Sequence, residues 1–186
     1  MQKPSRTMDL PSARRYHPLL VGLHWLLALL IIVNLAMGSL QLQHIPNSSL
    51  EKLTALQGHM AAGMLILILT LVRIGVRLMT RTPAPIQSDG PLWNRLSSTA
   101  HLGLYLLVLL MALSGMALSV QANLPAAVFE GSMSLPTSFA DFAPRQAHGW
   151  IANALLLLIV GHVCAALYHQ FVRQDGLLRR MWFVRS

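Results

Sequence analysis

Four long apolar runs dominate the chain and limit what it can fold into. They cover about residues 18–40, 56–78, 99–121 and 147–172. Each run is long enough to cross the hydrocarbon core of a bilayer, which takes about 20 apolar residues. Only 11% of the 186 residues are charged, against about 25% in a typical soluble protein. We therefore predict an all-α integral membrane protein: a four-helix bundle that forms a single domain over residues 1–186.

The basic residues predict how these helices are oriented. Lys52 and Arg145 fall on one side of the predicted membrane, and the other twelve basic residues fall on the opposite side. The twelve are Lys3, Arg6, Arg14, Arg15, Arg73, Arg77, Arg81, Arg95, Arg173, Arg179, Arg180 and Arg185. Because basic residues mark the cytoplasmic side, we expect both termini in the cytoplasm and a multi-pass protein of the bacterial inner membrane. The net charge of +8 then reflects topology, and we expect no nucleic-acid partner.

Four histidines lie inside or at the ends of the apolar runs. His24 is near the inner end of the first helix, and His59 is near the outer end of the second. His148 begins the fourth helix on the outer side, and His162 lies fourteen residues further on. Fourteen residues are close to four helical turns and about 21 Å of rise. Matching by depth predicts an inner pair, His24 with His162, and an outer pair, His59 with His148.

Two histidine pairs at two depths are the arrangement that two bis-histidine haems require. A neutral imidazole nitrogen is a good axial ligand for haem iron. A single histidine in a membrane helix could instead hydrogen-bond a neighbouring helix, but intramembrane ionisable residues are functional candidates by default. Zinc fits less well, because it needs clustered ligands around one centre. A proton relay would be expected to include Asp or Glu within the helices, and the runs contain none.

The segments that carry these histidines resemble the bacterial dihaem cytochrome b561 family. They read "VGLHWLLALL", "LQGHMAAGMLILILTLVRIGVRL", "AHLGLYLLVLLMALSGMAL" and "HGWIANALLLLIVGHVCAALYHQF". The resemblance runs from about residue 16 to residue 180. It implies a four-helix bundle with two b-type haems, the inner one held by His24 and His162 and the outer one by His59 and His148. Depth alone gives the same pairing.

Within this family the chain resembles the superoxide oxidases. The resemblance implies that superoxide outside the membrane gives an electron to the outer haem, and that the inner haem passes it to ubiquinone. It also implies that His169, seven residues after His162, contacts the quinone. No protein partner is required for this reaction. We expect no catalytic residue beyond the haem groups.

Further residues are candidates for supporting roles. Arg145 and Lys52 are the two outer cations, and they could steer an anionic substrate or simply anchor the interface. Arg73, Arg77 and Arg81 are spaced by four residues at the inner end of the second helix. Arg73 lies deepest of the three and is a candidate partner for a haem propionate. His101, which begins the third helix on the inner side, is a candidate for a propionate or quinone contact. The outer loops, about 41–54 and 122–146, are expected to form a small cap.

Two other functions agree with the same residues. A cytochrome b of this kind could serve a different donor, such as a dehydrogenase or reductase subunit that docks on one face. Alternatively, the chain could be a haem-free membrane scaffold or metal transporter whose histidines are structural. A reduced-minus-oxidised absorption spectrum separates the last class from the other two, because a haem-free protein is colourless.

Overall fold

The computed structural model describes residues 16–80, 90–131 and 134–182, and over these residues the fold is all-helical. Four long helices follow the four apolar runs. In chain order the elements are α1 (Pro18–Ala36, continued by a π-helical turn, Met37–Gln41), α2 (Leu50–Met79), α3 (Gly90–Gln121), the short α4 (Leu124–Val128) and α5 (Ala143–Tyr168, continued by a π-helical turn, His169–Arg173). A 3₁₀ turn, Leu178–Met181, follows near the C-terminus.

Three of the long helices begin earlier than their apolar runs. For α2 the start is Leu50 rather than about residue 56, because the Ser49 side chain accepts a hydrogen bond from the backbone N–H of Lys52 and caps the helix. For α5 the start is Ala143 rather than about residue 147, with Pro144 in its first turn, where proline's missing N–H costs nothing. The apolar run marks the part of a helix that suits hydrocarbon, and polar turns extend the helix beyond it.

The bundle core lies midway along the helices. One residue from each long helix forms it: Leu27, Ile66, Val108 and Leu155. Around the outside, side chains such as Leu29 and Leu157 are largely exposed. All four long helices are long and apolar enough to cross a membrane, so their exposed apolar faces suit lipid. The chain is a membrane-spanning four-helix bundle, as the sequence predicts.

The two outer loops contact each other, as expected of a cap. The amide of Asn47, in the first loop, donates hydrogen bonds to the carbonyls of Pro136 and Thr137, in the second. Lys52 is buried, and its ammonium donates to the carbonyls of Leu42 and Ile45. These bonds tie the start of α2 to both loops and close the outer end of the bundle.

The C-terminal segment folds back onto the first helix at the other end of the bundle. The indole N–H of Trp25 donates to the backbone carbonyl of Met181, at 2.8 Å. The Trp25 and Trp182 rings also meet edge to face, with centroids 5.7 Å apart. The ring of His24 lies 5.3 Å from that of Trp25, so the segment contacts the residue next to His24.

Several basic residues that predict the orientation lie outside the described residues. They are Lys3, Arg6, Arg14, Arg15, Arg81 and Arg185. The orientation of the termini therefore stays a prediction from the sequence.

Candidate functional site

The outer pair of histidines meets between α2 and α5. The ring centroids of His59 and His148 are 6.2 Å apart, and the ring planes are inclined by 73°. His59 lies in the third turn of α2, counted from its outer end, and His148 lies in the second turn of α5. Since both helices begin at the same end of the bundle and run in the same direction, the two side chains lie at a similar depth.

A hydrogen-bond chain holds the ring of His148 in place. Its Nδ1 lies 2.9 Å from the hydroxyl of Ser114 on α3. The same hydroxyl donates to the backbone carbonyl of Met111, also at 2.9 Å. The hydroxyl has one proton, so it must accept from His148, and Nδ1 of His148 must carry a proton. The other ring nitrogen, Nε2, is then unprotonated and free to bind a metal.

Each outer imidazole also rests against a glycine of a neighbouring helix. A Cβ atom added to Gly38 would lie 3.2 Å from Cε1 of His59, and one added to Gly115 would lie 3.2 Å from Cε1 of His148. Both distances are shorter than most contacts that a Cβ atom makes, so a side chain at either position would press on the imidazole. The Nδ1 atom of His59 is buried and has no hydrogen-bond partner among the described residues. Glycine is therefore the residue that lets both rings adopt these positions.

The inner pair meets between α1 and α5 with nearly the same geometry. The ring centroids of His24 and His162 are 6.2 Å apart, and their planes are inclined by 68°. A third imidazole joins them: the ring of His101, on α3, lies 5.3 Å from that of His162. The carbonyl of Ser97 lies 2.6 Å from Nδ1 of His101, and because a carbonyl can only accept, Nδ1 is the donor.

Arg73 lies at the same inner level. Its guanidinium donates to the backbone carbonyl of Leu20, one helical turn before His24. The side chain is half-buried and joins α2 to α1. The structure thus places Arg73 and His101, two of the predicted supporting residues, around the inner pair.

His169 lies at the inner end of α5, in the π-helical turn. Its Nδ1 is 2.5 Å from a carboxylate oxygen of Asp175, and both side chains are mostly buried. Burial acts to raise the pKa of Asp175, but the hydrogen bond from His169, the backbone N–H of Leu177 and the charge of Arg173 together lower that pKa below its usual value. Asp175 therefore holds the ring of His169 at the inner end of α5.

The two outer cations share one pocket. Arg145 and Lys52 both line an open pocket of about 540 Å³ between the outer loops. Its lining includes Phe139, whose ring lies 5.9 Å from the Lys52 ammonium. Among the described residues that line the pocket none is acidic. Lys52 already bonds two carbonyls, whereas the guanidinium of Arg145 lies along α5 against Gly149.

Both histidine pairs fit a haem iron. A metal ion lies about 2 Å from the imidazole nitrogen that binds it, so two rings on opposite sides of one iron have centres about 6 Å apart. The measured separations are 6.2 Å in each pair. The proton on Nδ1 of His148 leaves its Nε2 for such a bond. Within the described residues there is no group of three or more His, Cys, Asp or Glu side chains arranged to hold a metal ion directly.

Four residues at these sites carry no role in the sequence analysis: Ser114, Asp175, Gly38 and Gly115. Ser114 and Gly115 interrupt the apolar run "LLMALSGMAL" with a hydroxyl and a residue that has no side chain. This interruption was the available signal for a helix contact. Asp175 precedes a glycine, and that pair is typical of a turn. Nothing near Gly38 in the sequence indicates that it faces a histidine of another helix.

Comparisons with known proteins agree with this architecture. The family model described as prokaryotic cytochrome b561 matches residues 15–183. Cytochrome b561 homolog 2 of Escherichia coli (strain K12) is 30% identical over 176 residues, which cover 91% of this chain and 92% of that protein. The probable superoxide oxidase CybB of Yersinia pestis is 28% identical over 172 residues, with 90% and 96% covered. Cytochrome b562 of Cereibacter sphaeroides is 30% identical over 169 residues, with 89% and 94% covered.

Proposed function

Because the chain belongs to the prokaryotic cytochrome b561 family, a family of haem-binding membrane proteins that transfer electrons, we propose that it carries electrons from an outer donor to ubiquinone through two haems. The observation that carries this proposal is the pair of histidine contacts, each 6.2 Å between ring centroids. His148 and His162 both belong to α5 and are separated by about 21 Å along its axis. One helix therefore contributes a ligand to a site near each face of the membrane.

The assignment of the haem ligands follows the two contacts. His59 and His148 would hold the outer haem, and His24 and His162 the inner one. When bound, haem supplies a centre that takes up and releases one electron at a time. The chain fixes the ligands on separate rigid helices, and the apolar core of Leu27, Ile66, Val108 and Leu155 separates the two levels.

We propose superoxide as the donor. It is a small anion, and the pocket between the outer loops is lined by Lys52 and by Arg145, which is three residues before His148, with no acidic side chain among its described residues. Positive potential in a cleft raises the encounter rate of an anion. The superoxide oxidase name of the Yersinia pestis relative, at 28% identity, supports the same choice. Arg145 is the better candidate for steering, because the charge of Lys52 is already engaged by two carbonyls.

We propose that the acceptor is ubiquinone at the inner level, beside His169. Two superoxide anions, one quinone and two protons give two molecules of oxygen and one quinol. The inner site must therefore supply protons as well as electrons. His169 is the candidate hydrogen-bond partner of a quinone carbonyl, and its bond to Asp175 connects it to a carboxylate near the aqueous interface. Arg73 and His101 are the candidates for a propionate or quinone contact.

This assignment requires the orientation that the basic residues predict. The pocket with Arg145 faces outward, both termini lie in the cytoplasm, and the membrane is the bacterial inner membrane. No partner protein is needed. The rival within this class, a donor protein that docks on one face, predicts no turnover of the isolated chain with superoxide.

The experiment that tests this function uses the purified chain in liposomes with ubiquinone and an enzymatic superoxide source. We expect quinol to form in a 1:2 ratio to superoxide consumed, and a control with superoxide dismutase to abolish it. Menaquinone in place of ubiquinone tests the acceptor. If the haem groups are reduced by dithionite but never by superoxide, the donor is a different one and the proposal for superoxide is wrong.

A further inference from the structure

Ser114 lies inside the membrane-spanning part of α3 and makes two hydrogen bonds. One is to Nδ1 of His148, on α5, and the other is to the carbonyl of Met111, three residues earlier on its own helix. Serine in a helix often bonds a carbonyl of the preceding turn. Ser39 does so with the carbonyl of Leu35, and no histidine takes part. The bond to His148 therefore distinguishes Ser114 from an ordinary helical serine.

The direction of these bonds fixes the state of His148. The carbonyl of Met111 can only accept, so it takes the hydroxyl proton of Ser114. The lone pairs of the hydroxyl then accept the N–H of His148. Ser114 thus holds the tautomer in which Nε2 carries the free lone pair, and it also fixes the rotation of the ring. Such a bond to the outer nitrogen of a metal-ligating histidine makes the histidine a stronger ligand.

No other histidine of the two pairs has such a partner among the described residues. Nδ1 of His59 is buried without a hydrogen bond. The rings of His24 and His162 contact aromatic and histidine rings. The strengthening effect is therefore confined to one ligand of the outer site.

We propose that Ser114 is a positioning residue that sets the redox potential of the outer haem below the value it would have without this bond. A stronger imidazole ligand stabilises ferric iron more than ferrous iron, and hydrogen bonding to the ligands is one of the ways a protein tunes haem. A lower outer potential favours passage of the electron from the outer to the inner level. This inference rests on the proposed function, since it takes His148 as a haem ligand.

The test is a spectroscopic redox titration of two isosteric variants, Ser114→Thr and Ser114→Val. Threonine keeps a hydroxyl that can bond both partners, and valine has nearly the same shape without one. The outer haem is assigned as the component that is missing in His148→Ala. We expect Ser114→Val to raise the midpoint potential of that component and leave the inner one unchanged, and Ser114→Thr to remain near the wild type. We also expect Ser114→Val to retain the outer haem about 10-fold less tightly or worse.

Ser39→Ala is the matched control, because it removes a helical hydroxyl whose hydrogen bond is to the carbonyl of Leu35 and not to a histidine, and we expect it to change neither potential. Equal midpoint potentials in Ser114→Val and Ser114→Thr would overturn the role of Ser114 while leaving the haem assignment intact. If Ser114→Val loses the outer haem entirely and Ser114→Thr keeps it, the result supports the role of the hydroxyl. If both variants lose the outer haem equally, the result refutes that role. If His148→Ala removes no haem, the proposed function itself is wrong.

Discussion

The outer and inner histidine pairs have the same ring separation but different surroundings. At the outer site each ring rests on a glycine, and one ring is held by the hydroxyl of Ser114. At the inner site the rings meet His101 and Trp25 instead. An open pocket with Arg145 lies near the outer end, whereas the C-terminal segment and Asp175 lie at the inner end.

These differences match the two partners that the proposed function needs. Superoxide is small and brings only an electron and a negative charge, so a cationic pocket near a rigid site is sufficient. Quinone is larger and must be protonated, so the inner site needs hydrogen-bond donors connected to water. In the proposed function, the common geometry of the two pairs would serve haem binding, and the surroundings of each pair would determine which substrate reacts there.

Removing one histidine at a time gives the largest expected effect. We expect His148→Ala or His59→Ala to remove the outer haem and leave the inner one, and His24→Ala or His162→Ala to do the reverse. The reason is that each proposed haem would keep only one of the two histidines that would hold it. Haem content per chain and the redox titration measure the result.

His44→Ala is the matched control for these variants, because His44 is an exposed histidine of the outer loop and should be neutral. A single cofactor that is lost in all four variants contradicts the assignment of two sites.

Filling the glycine contacts should disturb only the outer site. We expect Gly115→Leu to displace the ring of His148 and remove most of the outer haem, because even a Cβ would approach Cε1 to 3.2 Å. Gly115→Ala needs a shift of only a few tenths of an ångström and should act more weakly. Absorption spectra report the loss. Gly75→Ala, at a position where a Cβ meets nothing within 4 Å, should change neither haem, and equal loss of both haems in Gly115→Leu would contradict a local effect.

The charge of Arg145 should affect the rate with superoxide but not the haem content. We expect Arg145→Gln to lower the second-order rate constant by less than about tenfold, and to weaken its dependence on ionic strength, because steering is electrostatic. Stopped-flow reduction of the oxidised protein by superoxide measures this. Arg95→Gln removes an equal charge from the predicted inner side and should leave the rate unchanged. The same loss in both variants would show that net charge, rather than the pocket, is responsible.

The smallest expected effect is that of the bond between His169 and Asp175. This bond should stabilise the C-terminal segment in a way that depends on pH. The pKa of Asp175 is lowered in the folded protein, so the stabilisation is present above the ordinary carboxyl value of about 3.9 and is lost as the pH falls through the lowered pKa. We expect about 1 kcal/mol, measured as hydrogen exchange of residues 176–182 corrected for intrinsic rates. In Asp175→Asn the segment should exchange faster at neutral pH and lose this pH dependence; unchanged exchange would contradict the role of the bond.

The sequence predicted the architecture because it depends on features that are local along the chain. Apolar length fixes four membrane-spanning helices, and depth along those helices suggests which histidines can meet. The structure brings together the two pairs that depth suggests, although their binding of haem stays a proposal. The helices extend beyond the apolar runs, as at α2, because a cap such as Ser49 lies outside its run.

The surroundings of the histidines could not be predicted in the same way. Whether Ser114 faces His148, or Gly38 faces His59, depends on the rotation of one helix against another. A single sequence does not encode that rotation in any short pattern. The burial of Lys52 is a similar case, because the carbonyls that hold it belong to loop residues whose positions follow from the cap as a whole.

The central claim is that two haems are held at two separate levels by His24 with His162 and by His59 with His148. A haem count on the purified wild-type chain, combined with a reduced-minus-oxidised absorption spectrum, tests it most directly. We expect two low-spin b-type haems per chain that titrate as two components. A colourless protein, or one haem per chain with a single component, would contradict it.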